Sequence, residues 1–134
     1  MGLKMIVPEL YCTDIQKTRS FYIDVLQMSI KYERSEDLFI YFEKAGASLM
    51  VEQLNGNSRK WITSDLDQPF GRGVNFEWQV ECLAELYQNV LKKYPESIYL
   101  ELEKKEYRCG EKVVIQSQFI VQDPDGYLFR FCSN

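Results

Sequence analysis

Apolar and polar residues alternate with a period of two along several stretches of this chain, the pattern of strands that turn one face to a core. Residues 5–12 read as a first strand. Thr13 or Asp14 can cap a helix that starts directly after them, and Thr13 with Gln16 fits a capping box. Ile15, Thr18, Tyr22, Val25 and Leu26 then fall on one helical face. Residues 31–34, 38–42 and 48–54 read as short strands, divided by Ser35-Glu36-Asp37 and Lys44-Ala45-Gly46, which carry turn chemistry.

The same order then repeats. Residues 74–80 form a strand with clean alternation, and Leu83, Leu86, Tyr87, Val90, Leu91 and Tyr94 have the spacing of an amphipathic helix. Strands come next at 98–107, 113–121 and 127–132, with Asp123-Pro124-Asp125-Gly126 as the turn before the last. The pattern predicts an α+β fold of two βαβββ modules, at about 5–54 and 73–132, within one domain, 1–134. One helix covers only one face of each sheet, so the second face must meet the other module, a second chain or a ligand. Between the modules, residues 55–72 make a polar loop that is long for a connection, with two large aromatics, Trp61 and Phe70.

Composition narrows the chemistry. The 134 residues are 46% hydrophobic and 27% charged, which suits a globular core. A net charge of -4 argues against a nucleic-acid partner, because phosphate binding needs a basic footprint. There is no histidine, so His-based triads, dyads, general bases and metal sites are all excluded. The four cysteines, Cys12, Cys82, Cys109 and Cys132, form no CxxC pair and give no support to a zinc site. No apolar run approaches the ~20 residues of a membrane span, and the first residues carry no long apolar h-region. The expectation is a cytoplasmic protein with reduced thiols, no membrane partner, and Cys12 and Cys132 buried on the helix-facing sides of their strands.

Three motifs carry a family resemblance. Pro8-Glu9-Leu10-Tyr11-Cys12-Thr13-Asp14-Ile15, with Ser20-Phe21-Tyr22 and Val25-Leu26, resembles the opening of the vicinal-oxygen-chelate superfamily. That superfamily holds glyoxalase I, extradiol dioxygenases, and fosfomycin and bleomycin resistance proteins. Asp123-Pro124-Asp125-Gly126-Tyr127 is similar to its C-terminal signature, and Pro69-Phe70-Gly71-Arg72-Gly73-Val74-Asn75-Phe76 to a segment of its bleomycin-resistance-like members. The resemblance spans essentially the whole chain. It implies sheets curled around a groove and a homodimer, with Pro8 where such proteins can exchange the first strand.

Metalloenzymes of that superfamily take one ligand from each of four strands. The corresponding places here are Val7, Glu52, Asn75 and Arg130, of which only Glu52 is a good donor. The resemblance therefore points to the metal-free bleomycin-resistance type, with no metal and no cofactor.

Strand parity puts Val7, Glu9 and Tyr11 on one face of the first strand, Met50 and Glu52 on one face of the fourth, and Asn75 and Glu77 on one face of the fifth. The last strand adds Leu128 and Arg130. Periodicity alone lets these faces meet water; the resemblance has them line one cavity. Its acidic balance suits a cationic guest, and Glu77 is expected to pair with Arg130 inside it. Trp61 and Phe70 either anchor the loop or stack on a flat ligand, and Arg72 holds either a backbone turn or that ligand.

The expected ligand-binding set is Glu9, Tyr11, Met50, Glu52, Trp61, Phe70, Arg72, Asn75, Glu77 and Arg130, with no catalytic residue. The expected function is metal-independent binding and sequestration of a cationic aromatic small molecule. The alternative is a glyoxalase-like lyase or isomerase using Glu52 as base, with or without a divalent metal. A third reading is an interaction module whose sheets merely dimerise.

Overall fold

Both halves of the chain fold as β-α-β-β-β in a computed structural model that describes residues 5–133. The first half comprises β1 (Glu9–Cys12), α1 (Ile15–Ser20), β2 (Ser29–Arg34), β3 (Phe39–Lys44) and β4 (Ala47–Gln53). Its sheet has the order β1-β4-β3-β2, with β1 parallel to β4 and the other pairs antiparallel. The second half comprises β5 (Asn75–Gln79), α2 (Leu83–Lys93), β6 (Ile98–Cys109), β7 (Lys112–Gln122) and β8 (Leu128–Ser133). Its order, β5-β8-β7-β6, repeats the first, with β5 parallel to β8.

The expected first strand is shortened to four residues. Pro8 has no N–H to give a ladder and contributes only its carbonyl, which accepts the Met50 N–H at 2.9 Å. Asp14, not Thr13, is the N-cap of α1, accepting the Gln16 and Lys17 N–H groups at 3.0 and 3.3 Å. The Thr13–Gln16 capping box does not form, because Thr13 is committed to the second module. After Ser20 the helix widens into a π turn, Phe21–Val25, which adds Phe21 to the buried face of Tyr22 and Val25.

Leu10, Ile40, Phe42, Leu49 and Val51 of the first sheet share one core with Trp78, Phe119, Val121, Phe129 and Phe131 of the second. Tyr22, from the helical layer, meets Phe42 edge-on at 5.1 Å and Phe129 at 5.7 Å. The helices therefore lie between the two sheets, and each sheet turns its other face outward. Trp78 Nε1 donates to the Lys44 carbonyl at 3.0 Å, and the Asn89 amide donates to the Asp24 and Val25 carbonyls, both at 2.9 Å. No helix among the described residues is long and apolar enough to cross a membrane.

The turn Asp123-Pro124-Asp125-Gly126 joins the halves. Asp123 Oδ1 accepts the N–H groups of Asp125 and Tyr127, both at 2.9 Å, and Oδ2 accepts the Tyr22 hydroxyl. Asp125, fully buried, accepts the Thr13 hydroxyl at 2.8 Å and the Gln68 amide at 2.7 Å. The Tyr127 hydroxyl donates to the Tyr11 carbonyl at 3.1 Å.

The loop ends on the same turn, through the Phe70 N–H to the Asp125 carbonyl at 2.7 Å. Gly71 lies so close that a Cβ there would stand 2.5 Å from the Gly126 carbonyl oxygen. Arg72 clamps the loop by donating to the Gln68 and Pro69 carbonyls at 2.7 and 3.2 Å, around a cis Gln68–Pro69 bond.

Candidate functional site

The outward face of the first sheet gathers most of its chemistry around one carboxylate. Register sets Tyr11 and Phe39 on either side of Glu52, and Glu9 and Tyr41 on either side of Met50. Tyr32 pairs with Tyr41 and stacks toward it at 5.1 Å, while Arg34 lies over Phe39 at 4.1 Å and Lys31 over Tyr41 at 5.1 Å. The result is an aromatic floor with two carboxylates set into it and cations at the rim.

Residues 55–62 lie across this floor. Glu52 is only 2% exposed. The Ser58 hydroxyl donates to its Oε1, and Lys60 Nζ stands 3.0 Å from Oε2. The ammonium directs its hydrogen bonds elsewhere, to the Gly56 and Ser58 carbonyls at 3.2 and 3.0 Å and to Ser58 Oγ at 3.2 Å. Glu52 Oε2 thus sits buried beside a cation while accepting no hydrogen bond among the described residues. The Trp61 backbone N–H donates to the Tyr11 hydroxyl at 2.9 Å, while the residue as a whole is 68% exposed, with Arg59 over its ring at 4.4 Å. Burial pushes the half-buried Glu9 carboxyl above the usual range, and the Glu52 charge pushes it further, while Arg34 and Lys60 pull it back.

The second sheet's outward face carries a different set. Glu77 and Arg130 pair at 2.9 Å, as the sequence suggests, but their side chains are 50% and 26% exposed. The expected buried pair is therefore a surface one, because no described residue covers this part of the face. Asn75 is exposed beside it. Gln118 is buried between Tyr107 and Glu103, both 2.9 Å away. Cys132 is buried too, but not on the helix-facing side: it shares the outward parity of Arg130 and lies between Gln79 and Gln118.

One chain therefore brings together Glu9, Tyr11, Met50, Glu52 and Trp61. It places Asn75, Glu77 and Arg130 on the outward face of the second sheet, where Arg130 pairs with Glu77 and no hydrogen bond or ion pair links them to the Glu52 cluster among the described residues. Phe70 and Arg72 belong to the inter-module joint, where both take their structural alternative. The sequence reading missed Tyr32, Phe39, Tyr41, Ser58 and Lys60. Parity within residues 38–42 separates Phe39 and Tyr41 from Ile40 and Phe42, so that signal was present; nothing local reveals where Lys60 lands.

The four places that hold a divalent ion in related metalloenzymes do not suit one here. Val7 has no donor, Asn75 offers only an exposed amide oxygen, Arg130 is a fixed cation already bonded to Glu77, and Glu52 has an ammonium at 3.0 Å.

No protein-family model matches the chain, and no curated protein matches it. Solved structures do. A glyoxalase/bleomycin resistance protein/dioxygenase superfamily member from Vibrio splendidus 12B01 is 44% identical, over 94% of this chain and 95% of that one, at a TM-score of 0.46. The chain belongs to that superfamily. Identity at this level over nearly the full length decides the membership.

More distant structures support the superfamily fold alone. TioX from Micromonospora sp. ML1 is 15% identical over 97% of this chain and 98% of that one, at a TM-score of 0.74. A glyoxalase/bleomycin resistance protein/dioxygenase from Alicyclobacillus acidocaldarius is 15% identical over 98% and 91%, at 0.66.

Proposed function

We propose that this superfamily member is a metal-independent small-molecule-binding protein of the bleomycin-resistance type, which sequesters a cationic aromatic ligand on the outward face of its first sheet. The observation that carries this reading is the buried Glu52, with Glu9 nearby, in a floor of Tyr11, Tyr32, Phe39 and Tyr41. Aromatic rings supply stacking area and cation–π attraction, and the carboxylates supply the counter-charge. An outward-facing polar set on each sheet also suits a homodimer, in which Asn75, Glu77 and Arg130 of a second copy complete the groove. All four cysteines are unpaired, which suits a reducing cytoplasmic setting.

The test is a thermal melt against planar cationic aromatics, with ethidium and metal-free bleomycin as probes. A ligand at a hundred times its Kd adds about 2.7 kcal/mol, a shift that is readily measured. The reading requires a saturable shift that weakens in Glu52→Gln. No shift from either probe would remove cationic aromatics as the ligand class. The lyase or isomerase reading draws on the free lone pair of Glu52 Oε2. It requires turnover of a carbonyl substrate that disappears in Glu52→Gln.

A further inference from the structure

We infer that Lys60 is a tethered occupant of an ammonium site on the first sheet's outward face, and that residues 55–62 form a lid which a ligand ammonium must displace. The inference deepens the function proposed for this face and rests on it in one respect, that this face is where a ligand binds.

Three observations converge. The first is electrostatic: Glu52 is nearly sealed from solvent, and a buried carboxylate needs a cation or a full set of donors. Ser58 donates to Oε1, while Oε2 faces the Lys60 ammonium at 3.0 Å, a charge partner that meets it off the line of a good hydrogen bond. The second is the position of Lys60, whose Nζ lies 3.0 Å from that oxygen while its protons go to Gly56 and Ser58. The lid is thus held by its own internal hydrogen bonds, with the carboxylate supplying mainly counter-charge. A ligand ammonium aimed squarely at Oε2 replaces the Lys60 charge and improves on its hydrogen-bond geometry.

The third is how the lid is fastened. Ser58 to Glu52, Lys60 beside Glu52, Trp61 to Tyr11, the Gln53 amide to Asn55 and the Gly56 N–H to the Gln53 carbonyl hold residues 55–62 to the sheet. These ties are polar, with no apolar anchor from 55–62 in the shared core, and segments held this way open at low free-energy cost. The lid carries the cation that the site recognises, so guest and lysine exclude one another. The matching guest class is a primary ammonium on a short alkyl arm, the chemistry of the lysine stem itself.

Chemical rescue tests this without knowledge of the natural ligand. In Lys60→Ala the ammonium is removed and Glu52 is left uncompensated, so the melting temperature falls. Adding n-butylammonium should restore it saturably, by ~5 °C or more at a hundred times its Kd. Sodium chloride at equal ionic strength should restore little. The double variant Lys60→Ala/Glu52→Gln should not respond to the amine. If Lys60→Ala does not fold unaided, the same comparison is made on the yield of folded protein after refolding with amine or with salt.

No saturable rescue, or equal rescue in the double variant, overturns the inference. Ethidium or bleomycin shifts in the wild type without amine rescue would sink the tethered lysine and leave the function reading standing. Rescue without any shift from those probes would do the reverse.

Discussion

Replacing Asp125 by Ala tests whether the joint between the two modules is held by one carboxylate. Its side chain is fully buried, and its Oδ1 accepts the Thr13 hydroxyl at 2.8 Å and the Gln68 amide at 2.7 Å. Each hydrogen bond to a charged group contributes roughly 1.5–3 kcal/mol net, and the variant also strands the Thr13 and Gln68 donors. The expected loss is therefore about 3–6 kcal/mol, a large part of the ~5–15 kcal/mol that holds a domain of this kind together. Asp125→Asn keeps the shape and one acceptor oxygen, so it should cost only about 1–2 kcal/mol. Urea unfolding followed by tryptophan fluorescence and circular dichroism measures both. With a slope of ~1–3 kcal/mol per molar, Asp125→Ala should lower the midpoint by more than about 1 M. A double-mutant cycle with Thr13→Val should show coupling. An alanine variant within about 1 kcal/mol of wild type at unchanged slope, or an additive cycle, would refute the account of the joint.

Asp123 should give stability a pH dependence whose sign follows from its burial. Burial holds its carboxyl up at about 6, against the Tyr22 hydroxyl and two backbone N–H groups that favour its charged form. A folded pKa above the unfolded 3.8 means the folded state keeps a proton that the unfolded chain releases. Its contribution, about 3 kcal/mol, is present below pH ~4 and lost as pH rises through about 6; Asp123→Asn should flatten that slope in melts from pH ~4 to ~8. Arg130→Ala should cost less than about 1 kcal/mol by urea titration, since its pair with Glu77 is partly exposed. Thiol titration of the native protein should find Cys82 and Cys109 reactive and Cys12 inert, because burial pushes the Cys12 thiol up to about 12. Fast labelling of Cys12 would mean that the shared core opens readily.

Much of the fold was legible because period-two and helical patterns report which face of each element meets apolar neighbours. Phe129 and Phe131 against Leu128 and Arg130 is such a case, and the paired-module order came from it. What the pattern did not carry was the direction in which the faces point once the halves dock. Parity assigns Glu52 and Arg130 to polar faces equally well, but it cannot tell that Tyr22 reaches both sheets and sends those faces outward. Cys132 was misplaced for a related reason: small and apolar, it looks like a core residue, yet it is buried under neighbours on the outward side.

The motifs that pointed to the family also have a physical explanation that bears on function. Phe70 and Gly71 rest on Asp125 and Gly126, and Thr13, Tyr22 and Gln68 bind the carboxylates of the same turn. The opening motif, the loop motif and the C-terminal turn are therefore one contact, the fastening of two modules across their shared core. A chain can keep all three while its outward faces are free to change. That is why the resemblance reads the architecture well and the ligand poorly, and why residues central to the proposed binding face, Lys60, Phe39 and Tyr41, lie outside every motif. On the proposed function, specificity is to be sought in residues 55–62 and the aromatic floor, where the Lys60 ammonium already stands beside Glu52.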